Sequence, residues 1–263
     1  GDGTFTLDVV RDIDGYNGGG ESFTTSATVQ HISIADEVGP QRAVVQSQIL
    51  KPSQRLIAYD DFDRSDRQLD GDQMPSGQTW DGRGDSGYKI RDRQYLYDAG
   101  HSADPIICPL SNPAAVQRVA YQFRARDPGI FIYLAWQNKD NWIRASANWN
   151  NGYELQKRYQ GTSTALSGGN LNVLDGHEGV LKAGLTFDDQ DLSTEIFINT
   201  LGEFFTYKMG WGADAEFDSI LNNISGVGFT VRTRNHRSTV SGYTLTGHNS
   251  ADLYSSFLNH NNT

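Results

Sequence analysis

Residues 120–159 read AYQFRARDPGIFIYLAWQNKDNWIRASANWNNGYELQKRY, and their period constrains the fold more than any other part of the chain. Short blocks of β-branched and aromatic residues are broken at Asp127-Pro128-Gly129, at Asn138-Lys139-Asp140-Asn141 and at Asn150-Asn151-Gly152. Polar, Gly- or Asn-rich breaks between such blocks are hairpin signals. The stretch therefore predicts four consecutive strands in an antiparallel meander. One face would enter a core and the other would carry Arg, Asn, Gln and Trp.

The rest of the chain continues the theme. Further strands are expected at Thr4–Val10, Ser22–Ser33, Ala43–Leu50, Leu56–Arg64, Gly179–Phe187, Ser193–Asn199, Glu203–Lys208, Gly226–Thr233 and Ser241–Gly247, with a hairpin over Gly87–Leu96. Asp214 to Asn223 is the one convincing helical turn. Many short strands separated by Gly, Asn and Asp turns mean an all-β antiparallel sandwich or barrel, and the lack of a fixed repeat disfavours a propeller. The first 50 residues hold too few large apolar side chains for an independent core. They are read, with residues 51–54, as a β arm packing on a neighbour. Residues 248–263 are polar and Asn-rich and read as a tail.

With 22 basic against 32 acidic residues the chain carries a formal net charge of -10. That argues against a nucleic-acid partner, whose binding rests on neutralising phosphates. No apolar run approaches the roughly 18–20 residues of a membrane span. The single cysteine, Cys108, cannot form an internal disulfide and reads as a buried thiol.

Strand alternation sorts the meander into faces. Val119, Tyr121, Phe123, Ile143, Ala145, Ala147, Leu155 and Tyr159 are expected inward. In Ile130–Trp136, Phe131 and Tyr133 oppose Ile132, Leu134 and Trp136. The outward band is then Gln122 and Arg124, Tyr133 or Trp136, then Trp142, Arg144 and Asn148, then Gln156 and Arg158. Planar rings flanked by guanidinium and amide groups suit a sugar, neutral or acidic. The same residue types suit a subunit interface, and both readings stand.

Asp60, Asp61 and Asp63, with Asp66, Asp70 and Asp72 nearby, are loop carboxylates of the kind Ca²⁺ takes, without the spacing of an EF-hand. No other cofactor is expected. The six histidines are scattered, and no G-x-S-x-G elbow, H-E-x-x-H motif or P-loop occurs. Gly82-Arg83-Gly84-Asp85 holds an Arg-Gly-Asp tripeptide that reads as a chance occurrence in a Gly- and Asp-rich loop.

The runs Tyr59-Asp60-Asp61-Phe62-Asp63-Arg64, Ser76-Gly77-Gln78-Thr79-Trp80 and Gly87-Tyr88-Lys89-Ile90 resemble the opening of concanavalin A-like lectin/glucanase (laminin-G-like) jelly-roll domains. Leu134-Ala135-Trp136, Asn141-Trp142-Ile143, Leu181-Lys182-Ala183, Ile196-Phe197-Ile198-Asn199 and Gly226-Val227-Gly228-Phe229 extend the likeness over roughly residues 55–247. The resemblance implies an all-β, two-sheet antiparallel jelly-roll sandwich, of a kind found in bacteriophage tail, fibre and other virion proteins and in secreted bacterial glycan-active proteins. A glucanase of this fold would carry an E-x-D-x-E strand. None of the seven glutamates sits in one. The expectation is a non-enzymatic virion protein, homo-oligomeric (a trimer among the options), bound to other virion proteins and to host-surface glycan. The alternative is a secreted glycan-binding module or glycoside-active enzyme.

Overall fold

The computed structural model describes residues 54–85, 87–97, 104–110, 116–123, 129–148, 152–170, 178–188, 193–200, 203–210, 212–232 and 238–248. The expected arm strands before residue 54, Arg124 and the tail beyond His248 lie outside the described residues. The two boundary residues pair with each other: Gln54 and His248 stand opposite at one end of a ladder.

In chain order the first strands are β1 (Gln54–Asp60), β2 (Arg67–Gln68), β3 (Tyr88–Arg91), β4 (Gln94–Tyr97) and β5 (Ile106–Pro109). Then come β6 (Val116–Phe123), β7 (Gly129–Asn138), β8 (Asn141–Asn148), β9 (Gly152–Tyr159) and β10 (Thr162–Gly169). The last are β11 (Glu178–Asp188), β12 (Ser193–Thr200), β13 (Glu203–Gly210), helix α1 (Ala215–Asn222), β14 (Gly226–Arg232) and β15 (Ser238–His248). Among the described residues they form an all-β, two-sheet antiparallel jelly-roll sandwich. One sheet runs β13-β12-β11-β6-β15-β4-β3-β2, with β1 also on β15; the other runs β10-β9-β8-β7-β14-β5.

This corrects the four-strand meander. β7, β8 and β9 are consecutive neighbours, but β6 belongs to the opposite sheet, between β11 and β15. The fourth strand of the local run is β10 instead. It was not expected from the sequence because its residues (TSTALSGG) are small and polar, and it lies largely exposed at a sheet edge. An edge strand that buries neither face leaves no alternation to read.

Two tight turns explain the local hairpins. Asp92 and Arg93 (φ 51° and 57°) join β3 to β4, and Gln160 and Gly161 (φ 48° and 82°) join β9 to β10. Paired positive φ values twist the chain in the sense that flanking strands require. Helix α1 opens on Asp214, whose side chain accepts from the Phe217 amide, and it buries Phe217, Ile220 and Leu221.

Between the sheets lie Val119, Tyr121, Ile130, Ile132, Leu134, Ile143, Ala145, Leu155, Val227, Phe229 and Tyr243. Cys108 is buried in this core, and burial pushes its thiol up to about 12. β5 packs closely on β14 because Gly228 has no side chain: a Cβ there would overlap the Ile106 carbonyl. Gly228→Ala is expected to cost about 1–3 kcal/mol, the range for overpacking, read as a lower urea midpoint at unchanged slope.

The aspartate-rich loop has a structural use. Asp60 is 1% exposed. Its carboxylate accepts from Arg64 (2.5 and 2.8 Å), from Trp80 Nε1 (2.7 Å) and from the Phe62 amide (2.8 Å). Arg64 Nε also donates to Asp72 at 2.7 Å. Phe62, held at φ 56°, enters an aromatic cluster with Trp80, Tyr95 and Phe229.

Helix α1 is fastened to β9 by Lys157, which reaches Asp214 at 2.5 Å and Glu216 at 2.7 Å. Burial alone would raise the Asp214 pKa, yet hydrogen bonds from Lys157 and the Phe217 amide hold it below the usual carboxylate range. For Lys157, burial would lower the pKa, and its two carboxylates outweigh that and raise it. The depressed acid contributes stability above the ordinary Asp value of about 3.9 and loses it as pH falls through its folded pKa. The raised base contributes below the ordinary Lys value of about 10.4 and loses it as pH rises through its own. Unfolding free energies of wild type and Lys157→Met should therefore differ by a constant amount between about pH 5 and pH 9 and converge outside that window.

Candidate functional site

The outward face of the β7–β9 hairpins is built by register. Across β14, β7, β8 and β9, one row holds Gly228, Tyr133, Arg144 and Gln156. The next holds Gly226, Trp136, Trp142 and Arg158. Pairing shifts by one residue between Tyr133 and Ala135, so Leu134 and Ala135 both enter the core. That bulge turns Trp136 outward. The simple alternation that placed Trp136 beside Leu134 is corrected by it: a bulge reverses the parity of everything beyond it.

Tyr133, Trp136 and Trp142 pack edge to face, with centroids 5.3 Å (Tyr133–Trp136) and 5.5 Å (Tyr133–Trp142) apart. With Phe131 and Ile107 they form a second apolar cluster, separate from the main core. Ile107 fits here because Gly226 offers no side chain; a Cβ on Gly226 would meet the Ile107 methyl.

The rings are covered. The Arg144 guanidinium lies 4.4 Å from the Trp142 ring centre and 4.5 Å from that of Phe131. Arg83 lies 4.6 Å from that of Trp136. Trp136 and Trp142 are left 3% and 4% exposed. Stacking of this kind holds each cation over the negative face of a ring. Arg144 also donates to Gln156 Oε1 at 2.8 Å and to the Tyr133 hydroxyl at 3.3 Å. Burial pushes the Tyr133 phenol above its ordinary range, only partly offset by Arg144, so the hydroxyl stays protonated at neutral pH. The Nε atoms of Arg144 and Arg158 are buried and have no hydrogen-bond partner among the described residues.

Of the expected band, Trp136, Trp142, Arg144, Gln156 and Arg158 come together. Asn148 stands in register with Gly129 and Gly152 on β8, and its side chain lies outside the described residues. Gln122 sits in the opposite sheet, in register with Glu178 and Thr239, and does not join them. Arg83, Phe131 and Ile107 were not foreseen as members. The one available signal was the Gly226-x-Gly228 spacing, which empties one face of β14 for a neighbour.

The tripeptide around Arg83 is a wrapped turn. The Gly82 and Gly84 amides donate to Asp70 at 2.6 and 2.8 Å, and Asp85 accepts from Tyr97 at 3.0 Å. Arg83 itself is engaged with Trp136, the Pro105 carbonyl and Asp104. The three aspartates considered for Ca²⁺ are also spoken for in part. Asp60 is held as above, Asp61 caps the Asp63 amide, and Asp63 lies 3.3 Å from Arg93. Among the described residues no three His, Cys, Asp or Glu side chains converge in a way that could hold a metal ion.

No protein-family model matches the sequence, and no curated protein matches it. Similar solved structures include the GH43 protein BlXynB from Bacillus licheniformis, at 14% identity and a TM-score of 0.46 over 73% of this chain and 39% of that one. This chain thus spans about two-fifths of that protein's length. The CBM2 module of the evolved Dit of Lactobacillus casei BL23 phage J-1 aligns at 11% identity and a TM-score of 0.47, over 76% of this chain and 98% of that one. Carbohydrate binding module CBM66 from Bacillus subtilis aligns at 12% identity and a TM-score of 0.37, over 65% and 89%. At these scores, the fold rests on the chain's own strand pairing.

Proposed function

We propose that this chain is a non-enzymatic recognition component of a virion, in the tail, a fibre or the capsid surface, that contacts host-surface glycan through the outer face of β7–β9. The observation that carries the reading is the pair of arginines, Arg144 and Arg158, which flank Gln156 over the Tyr133, Trp136 and Trp142 rings and form no ion pair among the described residues. A guanidinium whose protein acceptors are few and neutral keeps terminal N–H donors for a ligand rich in hydroxyl or carboxylate oxygens. The virion setting is supported by the sequence alone: an acidic chain without a catalytic motif, whose first 54 residues hold few large apolar side chains. Several copies in a homo-oligomer would convert weak single sites into useful avidity.

Among the described residues no helix is long and apolar enough to cross a membrane. The alternative, a secreted glycan-active enzyme, is separated by a reducing-sugar assay: turnover abolished by changing one carboxylate would replace the virion reading. The direct test is a glycan array with wild type and Arg158→Gln. Loss of one charge-assisted hydrogen bond, about 1.5–3 kcal/mol, should weaken binding roughly 10- to 100-fold. Absence of any glycan signal, with an oligomeric state altered by Arg158→Gln in sedimentation, would make this face a subunit interface instead.

A further inference from the structure

We infer that the saccharide taken by the β7–β9 face carries a carboxylate, as in uronate or sialate sugars, and that Arg144 and Arg158 receive it. This rests on the glycan reading above and narrows it.

A neutral sugar ring is usually held by an open aromatic face that meets its C–H groups. Here that mode is closed: Trp136 and Trp142 lie beneath Arg83 and Arg144 and are nearly without exposure. What the face presents is guanidinium and amide. Two of the three arginines on that surface form no ion pair among the described residues. Arg64 is paired with Asp60 and Asp72, Lys157 with Asp214 and Glu216, Arg83 with Asp104 and Arg93 with Asp63. Arg144, by contrast, bonds only neutral acceptors, and Arg158 has an Nε with none.

In a chain of net charge -10, two neighbouring arginines that form no ion pair among the described residues stand out. Placement completes the case. Arg144 is opposite Gln156 and Arg158 is opposite Trp142, so the two arginines are diagonal neighbours on adjacent strands. Such positions are about 7–8 Å apart, within reach of one bridging carboxylate. A guanidinium offers parallel N–H donors that match the two oxygens of that group. Glu154, the acidic side chain of β9 on this face, stands opposite Ser146 and is itself a diagonal neighbour of Arg144, but forms no ion pair with it among the described residues.

The test is calorimetric titration of the full chain with matched pairs: an oligogalacturonate against its neutral methyl ester, and sialyllactose against lactose. The acidic member of at least one pair should bind about tenfold tighter or more, a difference that shrinks as salt rises from about 0.05 to about 0.5 M. Arg158→Gln should erase the difference while leaving the thermal midpoint unchanged; Arg158→Lys should retain part of it. Equal binding of acidic and neutral members overturns the inference and leaves the glycan reading standing. Equal or tighter binding of a sulfated analogue overturns the carboxylate assignment. Absence of binding to every sugar overturns both.

Discussion

Replacing Asp60 by alanine is expected to lower the unfolding free energy by about 3–5 kcal/mol, the range for removing one partner of a buried ion pair. In a chain of this size that is a fall of roughly ten degrees in the thermal midpoint. The carboxylate is the common acceptor for Arg64, Trp80 Nε1 and the Phe62 amide, and Trp80 is itself 1% exposed. Removing it leaves an indole N–H without a partner, frees the backbone amide that holds Phe62 at positive φ, and loosens Arg64. The consequences reach both sheets, because Phe62 and Trp80 both pack against Phe229 on β14. Asp60→Ala combined with Arg64→Met should cost less than the sum of the two single changes, since both remove the same ion pair. Urea titration of the single and double variants checks this. A loss under about 1 kcal/mol in Asp60→Ala would show the pair to be dispensable.

Gln117→Leu is expected to cost about 2–4 kcal/mol, from two buried polar groups losing partners at about 1–3 kcal/mol each. Gln117, fully buried on β6, donates to the Tyr133 carbonyl at 2.8 Å and accepts from the Tyr243 hydroxyl at 2.9 Å. Tyr133 is where β7 leaves regular pairing with β8, so Gln117 satisfies the backbone of the bulge from the facing sheet. The bulge in turn decides which way Trp136 points. The variant should therefore change the near-ultraviolet circular dichroism of the tryptophans as well as the urea midpoint. Tyr243→Phe, which removes only one bond, should cost about 0.5–1.5 kcal/mol and leave the tryptophan signal intact. A Gln117→Leu protein with wild-type spectrum and midpoint would remove the bulge from the account of the site.

Much of the candidate site was legible in the meander. Trp142 and Arg144 were assigned outward from their alternation with Ile143 and Ala145, and Gln156 and Arg158 from their alternation with Leu155. The helix was legible from Asp214 and the apolar spacing of Phe217, Ile220 and Leu221. The Tyr59–Arg64 run is a visible motif whose local pattern is only that of loop carboxylates, because nothing local shows that Trp80 and Arg64 both turn toward Asp60.

The sequence by itself determined most of the described strands and turns, though not β5 or β10, and the face on which most meander side chains emerge, because alternation and turn chemistry act over a few residues. Only the tertiary structure decided which sheet each strand joins: β6, whose pattern reads as a hairpin partner of β7, pairs instead with β11 and β15. It also decided the bulge that turns Trp136 outward and the stacking of Arg83 and Arg144 over the rings. Those outcomes depend on residues distant in the chain, Gln117, Gly226 and the turn at Arg83, whose positions become neighbours only when two sheets close on one core.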